Sequence, residues 1–198
     1  MKTLSNLNNV SKNPKAVTVG NFDGIHKGHQ ALINKTKEIS TENNVESLIF
    51  TFNKLPKEIF SPDTLQRLYD NKIKESIISS YKIDTLLSID FNEIKDYSAD
   101  FFCEEILIKK LNAQYLIIGE NFKFGKGRLG DIEKLRKYNS KKAFELIVPE
   151  LETHNGVKIS SSRIRNLLNQ GDIIGARECL GRDYMLSGTV VSLSLIHI

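Results

Sequence analysis

Two histidines three residues apart, His26 and His29, follow an apolar run and sit among glycines. The stretch reads Gly20-Asn21-Phe22-Asp23-Gly24-Ile25-His26-Lys27-Gly28-His29-Gln30, directly after Ala16-Val17-Thr18-Val19. A strand that turns into a helix here puts both imidazoles on the first helical turn, on one face. There they lie beside backbone N–H groups that the helix itself cannot pair. Such a helix end is a cradle for phosphate. Gly20 and Gly28 lack side chains where a nucleotide must approach the backbone closely. His26 and His29 can donate hydrogen bonds to phosphoryl oxygens, and the chemistry this suits is phosphate-ester transfer from a nucleotide. Asp23 reads as a carboxylate that organises the turn or caps the helix.

A second group is Ile159-Ser160-Ser161-Ser162-Arg163-Ile164-Arg165. Serines before a helix cap it. The same hydroxyls, with nearby N–H groups and the fixed cation of Arg165, also suit the β- and γ-phosphates of a triphosphate. A third is the Gly-rich, basic, aromatic stretch Gly119-Glu120-Asn121-Phe122-Lys123-Phe124-Gly125-Lys126-Gly127-Arg128-Leu129-Gly130-Asp131. It is not a P-loop, because Gly-Lys is not followed by Ser or Thr in the required frame. Two readings of its phenylalanines stay open: they tuck into the core, or they stack on a flat ligand whose polar edge Asn121 reads.

Alternating elements must position these groups. Strands are expected at Ala16–Val19, Ser47–Phe52, Thr85–Ile89, Gln114–Ile118 and Phe144–Val148. Helices are expected at Gly28–Asn43, from an Asp70 cap to about Tyr81, from a Ser98 cap through Leu111, over 131–142, and at Arg163–Asn169 and Ile173–Leu180. Short apolar runs alternating with helices predict a parallel sheet covered on both faces. In such α/β sheets ligands bind at the carboxyl ends of the strands. The histidine pair follows the first expected strand and the 119–131 stretch the fourth.

The chain has 198 residues, 40% of them hydrophobic and 26% charged, enough to bury a real core in one large domain or one domain plus a fragment. A net charge of +4 comes from lysines spread along the chain, often near Glu or Asp. That reads as a solvated surface, whereas a nucleic-acid-binding face clusters basic residues with aromatics. Cys103 and Cys179 have no partner at metal-ligand spacing and read as core or near-surface thiols in a reducing compartment. Met1–Val10 is polar, and no segment has the length to cross a bilayer. Together these predict a cytoplasmic protein.

From about residue 15 to 191 the chain resembles the adenylyltransferase module of bacterial bifunctional riboflavin kinase/FAD synthetases. The resemblance is carried by Val19–Gln30, Thr51-Phe52 with Pro56 and Phe60, Ser98–Leu111, Gly119–Asp131, Val157–Arg165 and Leu180–Val191. The histidine motif is shared by the wider nucleotidyltransferase superfamily; its combination with Gly-Glu-Asn-Phe-Lys-Phe-Gly is narrower. The resemblance implies a Rossmann-like α/β nucleotidyltransferase fold and the reaction ATP + FMN → FAD + pyrophosphate with Mg²⁺. It implies that His26, His29 and Arg165 serve catalysis, that Gly20, Phe22, Gly28, Ser161 and Ser162 line the ATP site, and that Asn121 and Phe124 bind flavin. Phe60 and Phe102 are secondary candidates for the flavin pocket. Asn53-Lys54-Leu55 departs from the family, which often has an acidic residue, proline and histidine before the equivalent of Pro56.

The same resemblance divides the chain into an adenylyltransferase domain, residues 1–182, and the start of a kinase β-barrel, residues 183–198. After Val191 the sequence Ser192-Leu193-Ser194-Leu195-Ile196-His197-Ile198 leaves the family pattern. A truncated or artefactual end is expected, with residues 184–198 an edge strand or frayed tail, an aggregation risk at Leu193, Leu195 and Ile196, and no riboflavin kinase step. Two rival readings are a sister nucleotidyltransferase with another phosphate acceptor and a non-catalytic, basic RNA-binding domain.

Overall fold

The computed structural model describes residues 1–60, 67–150, 153–154 and 156–189. Its centre is a six-stranded sheet of β1 (Lys2–Leu4), β2 (Lys15–Val19), β3 (Glu46–Phe52), β4 (Thr85–Ile89), β5 (Ala113–Ile117) and β6 (Glu145–Ile147). The spatial order is β1-β4-β3-β2-β5-β6 and every pairing is parallel. The chain steps outward from β2 through β3 to β4, then returns to the other side of β2 as β5. The strand order therefore reverses between β2 and β5, and a ligand crevice belongs at their carboxyl ends.

Alternation along the strands explains the two covered faces. Val17 and Val19, Leu48, Phe50 and Phe52, Leu87 and Ile89, and Leu116 share one buried cluster with Phe102, Cys103, Ile106, Leu107 and Leu135. The first four of these lie on Phe102–Lys110, the π-helical continuation of α4 (Ala99–Phe101), and Leu135 lies on α5 (Ile132–Ser140). The intervening strand residues face the other way. Ile49 and Leu86 pack with Ile33 of α1 (Lys27–Glu42) and Ile78 of α3 (Asn71–Ser79), while Ala16 and Ile117 pack with Leu32 and Ile39. A separate small core joins Leu68 and Tyr69 to Ile164, Ala176, Cys179 and Leu180, on and beside α6 (Ser161–Asn169) and α7 (Ile173–Leu180).

The expected strands and helices are present, with ends moved by one or two residues. Ser98 and Asp70 cap as expected: Ser98 Oγ accepts from the Phe101 N–H at 3.1 Å, and Asp70 Oδ1 from the Ile73 N–H at 2.8 Å. Three features were not anticipated. The polar N-terminus adds the edge strand β1, paired with β4. Pro56–Phe60 forms a short helix, α2. Thr153–His154 and Val157–Lys158 form a small antiparallel pair, β7 and β8. The helix after Ser98 is π-helical over most of its length; the Leu111 N–H reaches back five residues to the Ile106 carbonyl at 2.9 Å. Both cysteines are buried and free, in separate clusters, and burial pushes the Cys103 thiol up to about 12. Residues 184–189 contain no strand. Ser192–Ile198, with the expected aggregation-prone leucines and isoleucine, lies outside the described residues.

Leu116 on β5 is fully buried in the larger cluster. Leu116→Ala should cost about 2–5 kcal/mol. It should appear in urea unfolding as a lower midpoint at an unchanged m-value. A midpoint equal to the parent's would show that the β5 register is not as described.

Candidate active site

The segment between β2 and α1 makes a turn that few side chains tolerate. Phe22, Gly24 and Ile25 have φ of 48°, 79° and 41°. For Phe22 and the β-branched Ile25 such angles cost on the order of 1–3 kcal/mol each. A Cβ on Gly24 would lie 2.5 Å from Leu68 Cδ1, so glycine is required there on two counts. Burial holds the strained pair in place: Phe22 and Ile25 are fully enclosed in the cluster beneath α1.

The turn delivers the histidines differently from the sequence expectation. His26 is not in the first helical turn; it is the N-cap of α1, and its Nδ1 accepts the His29 N–H at 3.3 Å. Gly28 leaves room for the cap: a Cβ there would crowd the His26 ring at 3.3 Å. The two imidazoles stack with centroids 3.7 Å apart and planes 16° from parallel. Phe22, expected at the ATP site, is instead a floor for this stack, its ring 5.1 Å from that of His29 and its side chain closed to solvent. Gly20 gives its N–H to the Phe50 carbonyl at 3.0 Å, and a Cβ there would press on Phe22 at 3.2 Å.

Both imidazoles are held neutral. Burial, then the positive charges of Arg182 and Lys158, bring His26 down to about 4. Burial, then His26, Lys74 and Arg182, drive His29 well below its ordinary value. Among the described residues nothing pairs with the buried Nδ1 of His29.

Asp23 does not cap the helix. Its buried carboxylate accepts the Leu68 N–H on Oδ1 at 3.0 Å and pairs with the Arg165 guanidinium on Oδ2. Ser161 donates to the Asp23 carbonyl at 2.8 Å, and Ser160 caps α6 by accepting the Arg163 N–H at 3.2 Å. The serine–arginine group is thus brought to the histidine turn, with Ser162 exposed at the helix start. Arg165 meets Asp23 first; its charge is shared between that carboxylate and whatever lies beyond.

Seven phenylalanines form one ring-to-ring chain, Phe60–Phe91–Phe52–Phe50–Phe102–Phe124–Phe122, with centroid separations of 5.1–6.1 Å. Its middle is closed: Phe102 is 3% and Phe124 7% exposed, so both pack as core. Its ends are open, with Phe60 68% exposed and Phe122 half-buried beside exposed Asn121. The loop is shut by paired bonds between Phe124 and Gly130, at 3.1 and 2.9 Å. Gly125, at φ 72°, lies against the start of α4, where a Cβ would be 2.7 Å from the Ala99 nitrogen.

Two residues escaped the sequence reading. Lys74 is buried, donating to the Phe52 carbonyl at 2.8 Å and Thr51 Oγ1 at 3.3 Å, and burial lowers it to about 8. Its only signal was its place on the apolar stripe of α3, three and four residues before Ile77 and Ile78. Arg182, just beyond α7, donates to the Ile25 carbonyl at 2.8 Å and to the Gly24 carbonyl.

Residues 8–163 match the family model described as FAD synthetase. The bifunctional riboflavin kinase/FMN adenylyltransferase of Buchnera aphidicola subsp. Schizaphis graminum is 39% identical over 199 residues, covering 96% of this chain and 63% of that protein. The protein of the same name from Escherichia coli K12 is 31% identical, again with 96% and 63% covered. The chain therefore spans less than two thirds of the length of these relatives. A solved structure described as a macrolide-efflux protein from Streptococcus pneumoniae superposes with a TM-score of 0.78 at 26% identity, covering 92% of this chain and 70% of that one. Among the described residues no helix is long and apolar enough to cross a membrane.

The neutral histidines make stability depend on pH. The unfolded chain takes up a proton at His26 below the ordinary value of 6.5, whereas the native chain does not until about 4. The stability from this site is full above 6.5 and is lost as pH falls through that window, by about 3 kcal/mol. His26→Asn keeps a capping oxygen and should flatten the decline by that amount in urea titrations at pH 7 and pH 4. Equal declines in parent and variant would show that native His26 protonates as readily as the unfolded residue.

Proposed function

Because the chain belongs to the FAD synthetase family, we propose that it transfers the adenylyl group of ATP to FMN, releasing pyrophosphate and forming FAD. The observation that carries this reading is the stacked, neutral His26/His29 pair at the N-terminus of α1, at the point where the strand order reverses. A phosphate oxygen of FMN attacks the α-phosphorus of ATP, the bond from that phosphorus to the bridging oxygen of the β-phosphate breaks, and pyrophosphate leaves with the bond's electrons. The second pKa of a phosphate monoester is about 6, so the nucleophile is ionised at neutral pH and needs no general base. The protein must align the two phosphates and receive charge on the oxygens around the α-phosphorus.

In this reading His26 and His29 donate to those oxygens, and the backbone N–H groups at the very start of α1, before the capped His29 N–H, add to them. Gly20 and Gly28 keep the approach open, while Phe22 acts from beneath through His29. Arg165, with Ser161 and Ser162 at the start of α6, meets the β- and γ-phosphates. Asn121 reads the polar edge of the flavin. Phe124 and Phe102 back its pocket, and Phe60 and Phe122 offer open rings. Among the described residues no three His, Cys, Asp or Glu side chains converge. Magnesium usually keeps several waters and binds largely through substrate phosphates; carried by ATP, it would supply charge neutralisation beside Arg165, Ser161 and Ser162. Many surface lysines are individually ion-paired, among them Lys37 with Asp84, Lys109 with Glu105 and Lys134 with Asp100, which supports small-molecule substrates over nucleic acid. Two free thiols suit a reducing cytoplasm.

Purified protein given Mg-ATP and FMN should form FAD and pyrophosphate in equal amounts, read by chromatography and a pyrophosphate assay. His29→Ala should lower kcat by about 3 kcal/mol, or roughly a hundredfold. The KM for FMN should change little. Folded protein that makes no FAD would overturn the reading, and near-normal turnover by His29→Ala would remove His29 from it.

A further inference from the structure

Three segments hold the histidine turn: Leu68–Tyr69, the start of α6, and the chain leaving α7. The third is tied most closely to the strained residues. Arg182 Nη1 donates to the Ile25 carbonyl at 2.8 Å and the Leu180 carbonyl at 3.1 Å, and Nη2 to the Gly24 carbonyl. Gln30, one turn into α1, donates to the same Ile25 and Leu180 carbonyls, at 2.9 and 2.6 Å. The guanidinium also lies over the Tyr69 ring at 5.2 Å, and Tyr184 stacks on Tyr69 at 5.6 Å. Gly181, at φ 70°, turns the chain so that Arg182 points back under α1.

Ile25 is a β-branched residue in the left-handed region, immediately before the residue that caps α1. Such a conformation persists only where its surroundings over-determine it. Here its carbonyl has two side-chain donors, and the preceding carbonyl has one. A planar fork that holds its donors at fixed spacing on separate nitrogens suits this task, whereas a lysine's three donors share one freely rotating nitrogen. Resting on the adenylyl-transfer reading, we infer that Arg182 is a positioning residue for the reaction: by fixing the Gly24–Ile25 carbonyls it sets the His26 cap and the stacked His29 ring. Its charge also faces both imidazoles, together with Lys158 at His26 and Lys74 at His29, and favours their neutral forms. Arg182 touches no substrate in this role.

The test compares Arg182→Gln and Arg182→Lys with the parent chain. Turnover is expressed per ATP-binding molecule, counted by calorimetric stoichiometry, so that a merely unstable variant does not pass for a slow one. In Arg182→Gln, kcat should fall at least tenfold with the KM for FMN within twofold, because Arg182 directs its hydrogen bonds to the histidine turn and Leu180. Arg182→Lys should lie between the two. Independently of activity, NMR titration of the imidazoles should show His26 and His29 protonating at higher pH in Arg182→Gln than in the parent, with Arg182→Lys close to the parent. Turnover per binding-competent molecule within twofold of the parent, or imidazole titrations that do not move, would overturn the inference. If the parent itself makes no FAD, the reading of the reaction fails, and the titrations alone decide whether Arg182 governs the histidine pair.

Discussion

The Asp23 carboxylate is the constraint on which the site depends. One oxygen takes the Leu68 N–H, the other takes Arg165, and the Asp23 carbonyl takes the Ser161 hydroxyl. One residue thereby joins segments 45, 138 and 142 positions away in the chain. A buried ion pair of this kind adds little net stability, because desolvation offsets the attraction. What it supplies is geometry. Removing one partner leaves the other buried and uncompensated, so the start of α6 cannot drift from the histidine turn without a large energetic cost.

That geometry explains what the sequence could and could not reveal. The strands were legible because their residues alternate between two buried clusters, and the helices because Ser98 and Asp70 cap them by local side-chain rules. β1 was not, since only Leu4 of its three residues is buried and its pairing with β4 lies some eighty residues away. The histidine pair was legible by type and place, but not as cap and stack. The capping bond from the His29 N–H to His26 Nδ1 depends on left-handed angles at Phe22 and Ile25, which side-chain chemistry disfavours and burial enforces. Lys74 and Arg182 were invisible for a related reason. A lysine on an apolar stripe and an arginine after a helix acquire meaning only from the carbonyls they meet in space.

The aromatic residues show the same limit from the other side. A loop with two phenylalanines suggested both core packing and ligand stacking, and the structure divides them. Phe124 closes against Phe102 and Gly130 and anchors the loop to the sheet, while Phe122 stacks on it from outside. A closed ring cannot offer a face to a flavin. It sets the height and tilt of the open ring that rests on it, and on the proposed reading it would act on flavin specificity only through Phe122 and the neighbouring Asn121.

Electrostatics joins these parts. Arg165, Arg182, Lys74 and Lys158 bear on a turn whose one buried carboxylate, Asp23, is already paired, and the positive end of α1 adds to them. Burial first, and then this field, disfavour an imidazolium, so both histidines stand neutral. On the proposed reading, an entering polyphosphate would reverse the local sign. Each negative oxygen near the rings favours the protonated form and so raises their basicity. On the adenylyl-transfer reading, the attraction between the ring N–H groups and the phosphate oxygens would grow as charge gathers on those oxygens, which is where the transition state needs it. The strained turn fixes the rings in position beforehand, so on that reading little reorganisation would be left for the reacting complex.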